Sequence, residues 1–434
     1  MGQQKLLILI IPLLLLSPFL LHRCSGDSLG QVSSGDHGSH QSPPFHKMSR
    51  SGKFGYGPRR SLLASSTNVV NVNDYGAKGD GSSDDTTAFT NAWKAACSSS
   101  VAATLFVPAS KTYLLKPITF AGSCKSNILV QIKGTILASP KVSDWSGTDR
   151  KRWIVFDGVK NLMVEGGGTF DGNGQIWWKN SCKVDESQAV TFDSCSSLKV
   201  DNLKFKNSQM MHVSFESCTN VEVSNLVISA PGSSPNTDGI HVTGTTNIQI
   251  DNCVIGTGDD CISIVSGSRF VNATNIFCGP GHGISIGSLG ANGAEATVSD
   301  ILVDTAQLEG TTNGVRIKTW QGGKGYAKNI NFKNVFMKNV KNPIIIDQNY
   351  CDSSKTCSEQ KSAVAISEVK YKNITGTSAT SVAMEFDCSK SVPCSGVVLQ
   401  DIKLTLTSGG SAKTICNNVK LTKAGTVVPS PCTS

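Results

Sequence analysis

The chain has few aromatic residues, few charges and no long apolar segment beyond its N-terminus. Phe, Trp and Tyr make up 6% of its 434 residues and charged residues 17%, whereas it contains 42 glycines. After the N-terminus no segment approaches the ~18 apolar residues of a membrane-spanning helix, and no Cys-x-x-Cys pair or histidine cluster indicates zinc. This composition fits many short strands joined by small-residue turns better than a helical protein.

Positive charge is concentrated at the N-terminus. The formal net charge is +8, but residues 1–66 hold seven Lys or Arg and two Asp. Without them the chain has 33 basic and 30 acidic residues. A nearly neutral body lacks the concentrated positive charge that binds a phosphate backbone, so we predict no nucleic-acid partner.

The N-terminus has the pattern of a secretory signal. Lys5 precedes an apolar run over residues 6–21, and small residues follow it. Prolines interrupt the run, so an uncleaved membrane anchor is the weaker alternative. The next segment is rich in Ser, Gly, His and Pro, which indicates a disordered pro-segment ending near Arg59-Arg60. We predict a signal peptide over 1–26, a pro-segment over 27–66 and one secreted domain over 67–434, free of the membrane.

Fourteen cysteines follow Cys24, which lies at the end of the signal. An even number fits a disulfide framework formed in an oxidising compartment. The short loops from Cys351 to Cys357 and from Cys388 to Cys394 are the expected bridges. Asn272-Ala-Thr and Asn373-Ile-Thr are acceptor sequences for N-linked glycan, which is consistent with secretion.

Order is expected to begin with an alternating strand at residues 69–72. The acidic run at residues 80–85 then precedes a helix with one apolar stripe, formed by Phe89, Ala92, Trp93 and Ala96. Asp and Ser at a helix start accept hydrogen bonds from free N–H groups. We therefore interpret the acidic run as a turn and N-cap rather than a calcium loop.

A short motif then repeats, in which a turn residue precedes alternating apolar positions and a second strand. Four of the six steps between neighbouring instances are 23–36 residues long, and the other two, of 53 and 67 residues, are about twice that length. The instances begin at Asn161, Ser197, Asn220, Asn247, Asp300, Asn329 and Gly396. Each unit leaves no room for a helix of ordinary length, which is typical of a parallel β-solenoid. A β-sandwich or propeller is the alternative.

The open ends of such a solenoid would expose strand edges. We expect the helix that contains Trp93 to cap the first coil. The C-terminal stretch through Cys416 and Cys432 is expected to secure the other end.

Four polar segments in the middle of the chain recur at about the length of this repeat. Asp238 and Asp259 are 21 residues apart, and Asp259 and His282 are 23 apart. Stacked strands lie about 4.8 Å apart, so consecutive coils would bring these side chains together. Arg316 and Lys318 are two residues apart and would point to one face of a strand.

Carboxylates held this close repel one another, which raises the pKa of at least one of them. A protonated carboxyl can donate to a leaving oxygen while an ionised one activates water, as glycosidic-bond hydrolysis requires. Arg316 and Lys318 suit a sugar that is itself anionic. Taken singly, such an Asp, His or Arg-x-Lys is ordinarily structural, but their joint spacing favours catalysis.

The four segments resemble the signature of a known family. They are Asn236-Thr-Asp-Gly, Gly258-Asp-Asp-Cys, Gly281-His-Gly-Ile-Ser-Ile-Gly-Ser and Arg316-Ile-Lys. Together they are similar to the four signature segments of plant polygalacturonases, glycoside hydrolase family 28, and the resemblance runs from about Val69 to the C-terminus. It implies a right-handed parallel β-helix that hydrolyses α-1,4 bonds between galacturonic acids with inversion, without a metal or an organic cofactor.

The resemblance also implies a role for each residue. Asp259 would be the general acid, with His282 supporting its protonation, while Asp238 and Asp260 would hold and activate water. The implied substrate-binding residues are Asn236, Arg316, Lys318 and Tyr350. Cys261 and Cys278 match a bridge beside the site.

Several alternatives stay open at this point. We expect endo attack because no large insertion interrupts the catalytic coils and the pro-segment resembles that of plant endo-acting members, but exo attack remains an alternative. A calcium-dependent pectate lyase and a non-catalytic wall-binding protein are further alternatives. Coil stacking permits the carboxyl separation of either an inverting or a retaining enzyme. The expected partner is de-esterified pectin in the plant cell wall, and wall inhibitor proteins are candidate partners. We expect the protein to be a monomer.

Overall fold

The structure is a computed structural model that describes residues 68–145, 152–180, 188–352 and 357–432. The predicted signal peptide and pro-segment lie outside these residues, as do Cys24 and Cys182. The described residues form one compact unit. It is a right-handed parallel β-helix, which confirms the predicted all-β class.

Short strands dominate the described chain. The strands are β1 (Asn68–Asn71), β2 (Asp80–Asp84), β3 (Ala103–Val107), β4 (Thr112–Leu115), β5 (Ile118–Ala121), β6 (Ile128–Ile132), β7 (Thr135–Ala138), β8 (Arg152–Asp157), β9 (Leu162–Glu165), β10 (Thr169–Asp171), β11 (Gln188–Asp193), β12 (Ser196–Asp201), β13 (Lys204–Lys206), β14 (Val213–Glu216), β15 (Thr219–Ser224), β16 (Val227–Ser229), β17 (Ile240–Thr243), β18 (Thr246–Asp251), β19 (Val254–Gly256), β20 (Ile262–Ile264), β21 (Arg269–Cys278), β22 (Ile284–Leu289), β23 (Glu295–Glu309), β24 (Asn313–Trp320), β25 (Lys324–Val340), β26 (Asn342–Tyr350), β27 (Ala365–Ser378), β28 (Val382–Asp387), β29 (Cys394–Leu406), β30 (Lys413–Asn417) and β31 (Val419–Val428). The α-helices are α1 (Thr86–Cys97) and α2 (Gln175–Asn180), and the 3-10 turns are Val72–Tyr75, Val142–Trp145 and Ala291–Gly293. Among the described residues, no helix has the length and apolar character needed to cross a membrane.

Eleven parallel strands form one sheet, here called the cleft sheet. Its order is β5, β8, β11, β14, β17, β20, β22, β24, β26, β28 and β30. Alternate side chains point inward and stack on those of the previous coil. Phe156, Phe192 and Phe215 do so with ring centroids 5.1 and 5.3 Å apart. Stacking in register buries a continuous apolar column, which is why the alternating segments of the repeat become strands.

The other twenty strands form the back sheet. One row runs through β1, β3, β6, β9, β12, β15 and β18, and a second through β2, β4, β7, β10, β13, β16 and β19. Both rows pair with β21, after which β23, β25, β27, β29 and β31 each span the two rows. Two or three strands per coil therefore agree with the predicted repeat.

Residues with positive φ mark the turns of the back sheet. All seven predicted turn residues have φ between 51° and 63°. Their amides also link the coils, since Asn247 Nδ2 donates to Asn220 Oδ1 at 2.7 Å. The sequence motif missed Phe270 and Glu368, which have φ of 55° and 56° at the same position of their coils. Neither residue type favours this conformation, so composition gave no signal there.

Helix α1 covers the first coil, as predicted. Its stripe is buried, and Trp93 Nε1 donates to the carbonyl of Ala121 at 3.1 Å. The expected capping is only partly correct. Asp84 Oδ1 accepts from the N–H of Thr86, whereas Asp85 accepts from Lys78 and Gly79 instead of the helix. The first strand also begins and ends one residue before the predicted bounds, because Val72 begins a 3-10 turn.

Five disulfides lie within the described residues. They are Cys97–Cys124, Cys261–Cys278, Cys351–Cys357, Cys388–Cys394 and Cys416–Cys432. The two short-loop bridges and the bridge beside the site agree with prediction, and the last ties down the C-terminal end. A framework that uses every cysteine was wrong, because Cys195, Cys218 and Cys253 are buried free thiols. Cysteine packs well as a small apolar side chain, so its number alone does not reveal pairing.

Candidate active site

Three consecutive loops on one edge of the cleft sheet carry the predicted acids and imidazole. Asp238 lies before β17, Asp259 and Asp260 before β20, and His282 before β22. These strands pair in register, and Ile262 of the middle strand, β20, is paired with an isoleucine of β17 on one side and of β22 on the other. The spacing of 21 and 23 residues is therefore one coil each time. Strand β24 adds the two predicted cations on the next coil.

Glycines allow these loops to stack closely. A Cβ added to Gly258 would overlap the carbonyl oxygen of Ser234. Gly283 has φ of +84°, and a Cβ there would overlap the carbonyl oxygen of Asn313. The glycines of the motifs are thus required by backbone approach, and they leave the His282 side chain in position beside Asp259.

Asp260 is buried and its charge is compensated by cations. Its side chain is 2% exposed. Arg316 Nη2 donates to Oδ1 at 3.0 Å and Lys318 Nζ to Oδ2 at 3.0 Å. Ser285 Oγ also donates to Oδ1 at 2.7 Å. Burial is the largest single influence and acts to lower the pKa of Lys318, but the attractions of Asp260, Tyr350 and Asp238 together outweigh it, so the net shift is upward.

Asp238 is buried too, and within the part of the chain that the structure describes it makes no ion pair with Lys or Arg. Burial and then the charge of Asp259 raise the pKa of the Asp238 carboxyl. Ser263 Oγ donates to Asp238 Oδ2 at 2.6 Å. His241 Nδ1 lies 2.8 Å from that hydroxyl and 3.9 Å from Asp238 Oδ2. Since Ser263 gives its proton to Asp238, the hydroxyl accepts from a protonated His241 Nδ1.

Asp259 and His282 form a pair that faces the cleft. His282 Nδ1 is 2.9 Å from Asp259 Oδ1, and the two side chains are 40% and 20% exposed. Burial is the largest single influence and acts to raise the pKa of Asp259, but the bond to His282, the charges of His282 and Lys318 and the N–H of Asp260 together outweigh it, so the net shift is downward. The same bond raises the pKa of His282. The pair therefore retains one proton to a higher pH than a free imidazole does.

The remaining predicted substrate-binding residues border this group. Lys318 Nζ lies 5.5 Å from the centre of the Tyr350 ring. Tyr350 also packs edge-on against Trp320, 5.3 Å between ring centres. Asn236 is half-buried in the loop of Asp238 and has φ of 55°. The structure thus brings the predicted acids, imidazole and cations together, with Tyr350 beside the cations.

Comparison with known proteins decides the family. Residues 97–427 match the model of the glycosyl hydrolases family 28. The chain belongs to glycosyl hydrolase family 28. Over 357 residues it is 58% identical to a polygalacturonase of Persea americana, covering 81% of this chain and 77% of that protein. It is 56% identical over 373 residues to Polygalacturonase-2 of Solanum lycopersicum, covering 84% and 81%.

A solved structure supports the fold independently. An exopolygalacturonase of Thermotoga maritima superimposes with a TM-score of 0.71 at 21% identity, over 84% of this chain and 92% of that one. At this identity the likeness concerns the β-helix alone. The sequence relatives and the family match confirm the recognised family and the glycosidase class predicted from the motifs.

Two of the three carboxyl groups in this family 28 enzyme lie close together. Oxygen atoms of Asp259 and Asp260 lie within 4.8 Å of each other. Inverting enzymes commonly separate acid and base by about 6.5–9.5 Å, which leaves room for water.

Sequence reasoning missed three residues that contact the carboxylates. His241, Ser263 and Ser285 are in register with one another on the outer face of the cleft sheet. Each lies three residues after a predicted acid or imidazole, a regularity that the repeat spacing contains. A serine or histidine after a motif has no chemical signal of its own. Only its contact with a side chain on the neighbouring coil shows that such a residue belongs to the site.

The group formed by Asp259, Asp260 and His282 has the donor atoms of a metal site within 4.8 Å of one another. The donors do not fit calcium, which takes six to eight oxygen ligands. Both oxygens of Asp260 already accept from Arg316 and Lys318. These cations occupy the positions that a metal ion would take.

Negative charge continues beyond Lys318 on the cleft sheet. Asp347 is in register with Lys318, and Asp387 is in register with Asp347 on the next coil. Burial, then the charges of Asp387 and Glu385, raise the pKa of Asp347 to about 6. The cleft thus changes from cationic to acidic within two coils.

Proposed function

We propose that this enzyme hydrolyses the α-1,4 bonds between galacturonic acid units of de-esterified pectin. The observation that carries the proposal is the group of three carboxylates beside two cations on one face. The side chains of Arg316 and Lys318 are 15% and 12% exposed. Guanidinium and ammonium groups there suit the carboxylate of each sugar. The Persea and Solanum relatives are polygalacturonases by name, which supports the same substrate.

Hydrolysis requires one proton for the leaving oxygen and removal of one from water. In the proposed mechanism Asp259 donates the first proton, because its side chain is 20% exposed against 12% for Asp238 and 2% for Asp260. Asp238 and Asp260 orient water and accept its proton as the oxygen attacks C1. His282 shares the proton of the Asp259 pair at rest and returns it to Asp259, which then donates it to the leaving oxygen.

The proposed stereochemical outcome is inversion. It is supported by the family resemblance and by the need for two carboxylates to hold one water. Proton NMR of the first products from an oligogalacturonide measures it directly. An initial β-anomer supports inversion. An initial α-anomer would instead indicate retention, and the short distance between Asp259 and Asp260 would then belong to a retaining mechanism.

We further propose endo attack. Three of the four loops before the catalytic strands are short, with five residues before β20, five before β22 and three before β24, while the loop before β17 has ten. Loops of this length leave a long polymer room to lie across the site. Product sizes from polygalacturonate test this proposal. Intermediate oligomers at early times support endo attack, and monomer from the start supports exo attack.

Secretion to the plant cell wall as a monomer is part of the same proposal. It is supported by the signal-like N-terminus, the five disulfides and the two glycan acceptor sequences. A wall inhibitor protein would act by covering the cleft sheet. Light scattering of the secreted protein checks the monomer.

The proposed activity is tested with polygalacturonate, chelator and two variants. New reducing ends that persist with chelator, without the ultraviolet absorbance of an unsaturated sugar, support hydrolysis. Calcium-dependent absorbance would identify a lyase. Asp259→Asn should abolish turnover while the protein stays folded and binds the polymer. Glu222→Gln, an exposed change on the back sheet, is the matched control. Polymer binding without turnover in both the wild type and Asp259→Asn would indicate a binding protein, whereas equal turnover in both would show that Asp259 is not the acid.

A further inference from the structure

A depression of about 670 Å³ lies on the outer face of the back sheet, away from the catalytic strands. Two rows of side chains line it, one from the positive-φ turns and one from the strands that follow. The turn row is Asn247, Phe270, Asp300 and Asn329, and the strand row is Gln249, Asn272, Leu302 and Asn331. The depression has amide groups around one exposed aromatic ring.

Phe270 is the unusual member of the turn row. Its φ is 55°, a conformation that Asn and Asp adopt readily and a bulky side chain does not. Its ring is 50% exposed, so packing in the core does not explain its presence. The guanidinium carbon of Arg269 lies 5.9 Å from the centre of the ring, and the exposed remainder of the ring is open to a ligand.

Asn272 lies two residues from Phe270 and lines the same depression. It is the acceptor of Asn272-Ala-Thr, and its side chain makes no hydrogen bond to any described residue. Asn373, the other acceptor, is different. Its Nδ2 donates to Asn334 Oδ1 at 2.8 Å within the ladder of turn amides.

We propose that the depression binds an N-linked glycan attached to Asn272. The side-chain nitrogen loses a proton and forms the N-glycosidic bond, with a lipid-linked oligosaccharide diphosphate of the secretory pathway as donor and the lipid diphosphate as leaving group. The first N-acetylglucosamine then places the apolar C–H face of its ring on Phe270. Its hydroxyl and acetamide groups bind the amides of Gln249 and Asn331.

The proposed contact between the glycan and Phe270 is tested with four secreted proteins: the wild type, Asn272→Gln, Phe270→Asn and the double variant. Glycopeptide mass spectrometry should find Asn272 occupied in the proteins that retain it. Asn272→Gln should lower Tm by about 2 °C when Phe270 is present and by less than about 0.5 °C in the Phe270→Asn background. Without the glycan, Phe270→Asn should not lower Tm, because Asn tolerates positive φ.

Asn373→Gln is the matched control, and its effect should not depend on Phe270. Enzymatic removal of the glycan from the folded wild type gives the same comparison without relying on secretion of a variant. An unmodified Asn272 would overturn the proposal. So would an equal loss of Tm on removing the glycan in both backgrounds, since the sugar would then stabilise the chain without Phe270.

Discussion

At the scale of single residues, two carboxyl groups compete for the role of proton donor. Burial favours the protonated form of Asp238, whereas Asp259 shares its proton with His282 and faces the cleft. We expect Asp259→Asn to lose at least about 10²-fold in kcat on polygalacturonate. It should regain most activity on an oligogalacturonide with a nitrophenol leaving group, which needs no proton. Asp238→Asn should be inactive on both, and the reverse pattern would exchange the two roles.

We expect the Asp259–His282 pair to set the alkaline limit of activity. The pKa of His282 is raised above the ordinary value of about 6.5, so the pair keeps its proton below that raised value and loses it as pH rises through it. We expect kcat/KM of the wild type to fall as pH rises through the raised pKa of His282, which gives the alkaline limb of the pH–rate profile. His282→Asn should move the limb to lower pH, because only a carboxyl then holds the proton. An unmoved limb in the pH–rate profile would contradict this.

Ser263 and Ser285 occupy equivalent positions but support different carboxylates. Ser285 is one of three donors to Asp260, whereas Ser263 donates to Asp238, which makes no hydrogen bond or ion pair with a Lys or Arg of the described chain. A hydrogen bond to a charged group contributes about 1.5–3 kcal/mol. We expect Ser263→Ala to lower kcat by about tenfold to a hundredfold and Ser285→Ala to lower it less. Steady-state kinetics with matched thermal melts checks the order, which equal losses would refute.

At the scale of elements, the sequence predicts what each coil contains but not what the next coil does to it. The turn residues from Asn161 to Gly396 follow from an intrinsic preference for positive φ, and the structure confirms them. Phe270 breaks that preference. Cys218 is a free thiol because the apolar interior suits it, which a count of cysteines does not reveal. Helix capping by Asp84 rather than Asp85 likewise depends on a neighbouring loop.

Helix α1 closes the first coil through one large side chain. Trp93 is buried, packs on Phe120 and Phe156, and donates to a backbone carbonyl of the first cleft strand. We expect Trp93→Ala to reduce the free energy of unfolding by about 3–5 kcal/mol, as for other large core truncations. Denaturant unfolding measures it. Lys94→Ala, on the exposed side of the same helix, should change it by less than about 0.5 kcal/mol, and equal effects would show that the cap is not packed.

At the scale of the whole molecule, the repeat is what made the site predictable. Residues one coil apart in sequence become neighbours, so the spacing of Asp238, Asp259 and His282 was enough to predict their cluster. The distribution of protons within the cluster was not predictable. It depends on contacts across coils, such as the cations on Asp260, and on burial that no linear pattern records.

The charge distribution along the cleft gives a last prediction. A polygalacturonate chain carries one carboxylate per sugar, and beyond Lys318 it meets Asp347, with Asp387 and Glu385 on the next coil. Because the pKa of Asp347 is about 6, this end gains a negative charge as pH rises through 6. We expect KM for polygalacturonate to rise about fivefold across that pH range. Asp347→Asn should remove this dependence on pH while leaving the alkaline limb of kcat in place. A neutral, fully methyl-esterified oligomer used as a competing ligand should bind equally at pH 5 and pH 7. If the variant keeps the wild-type dependence, the acidic end does not contact substrate.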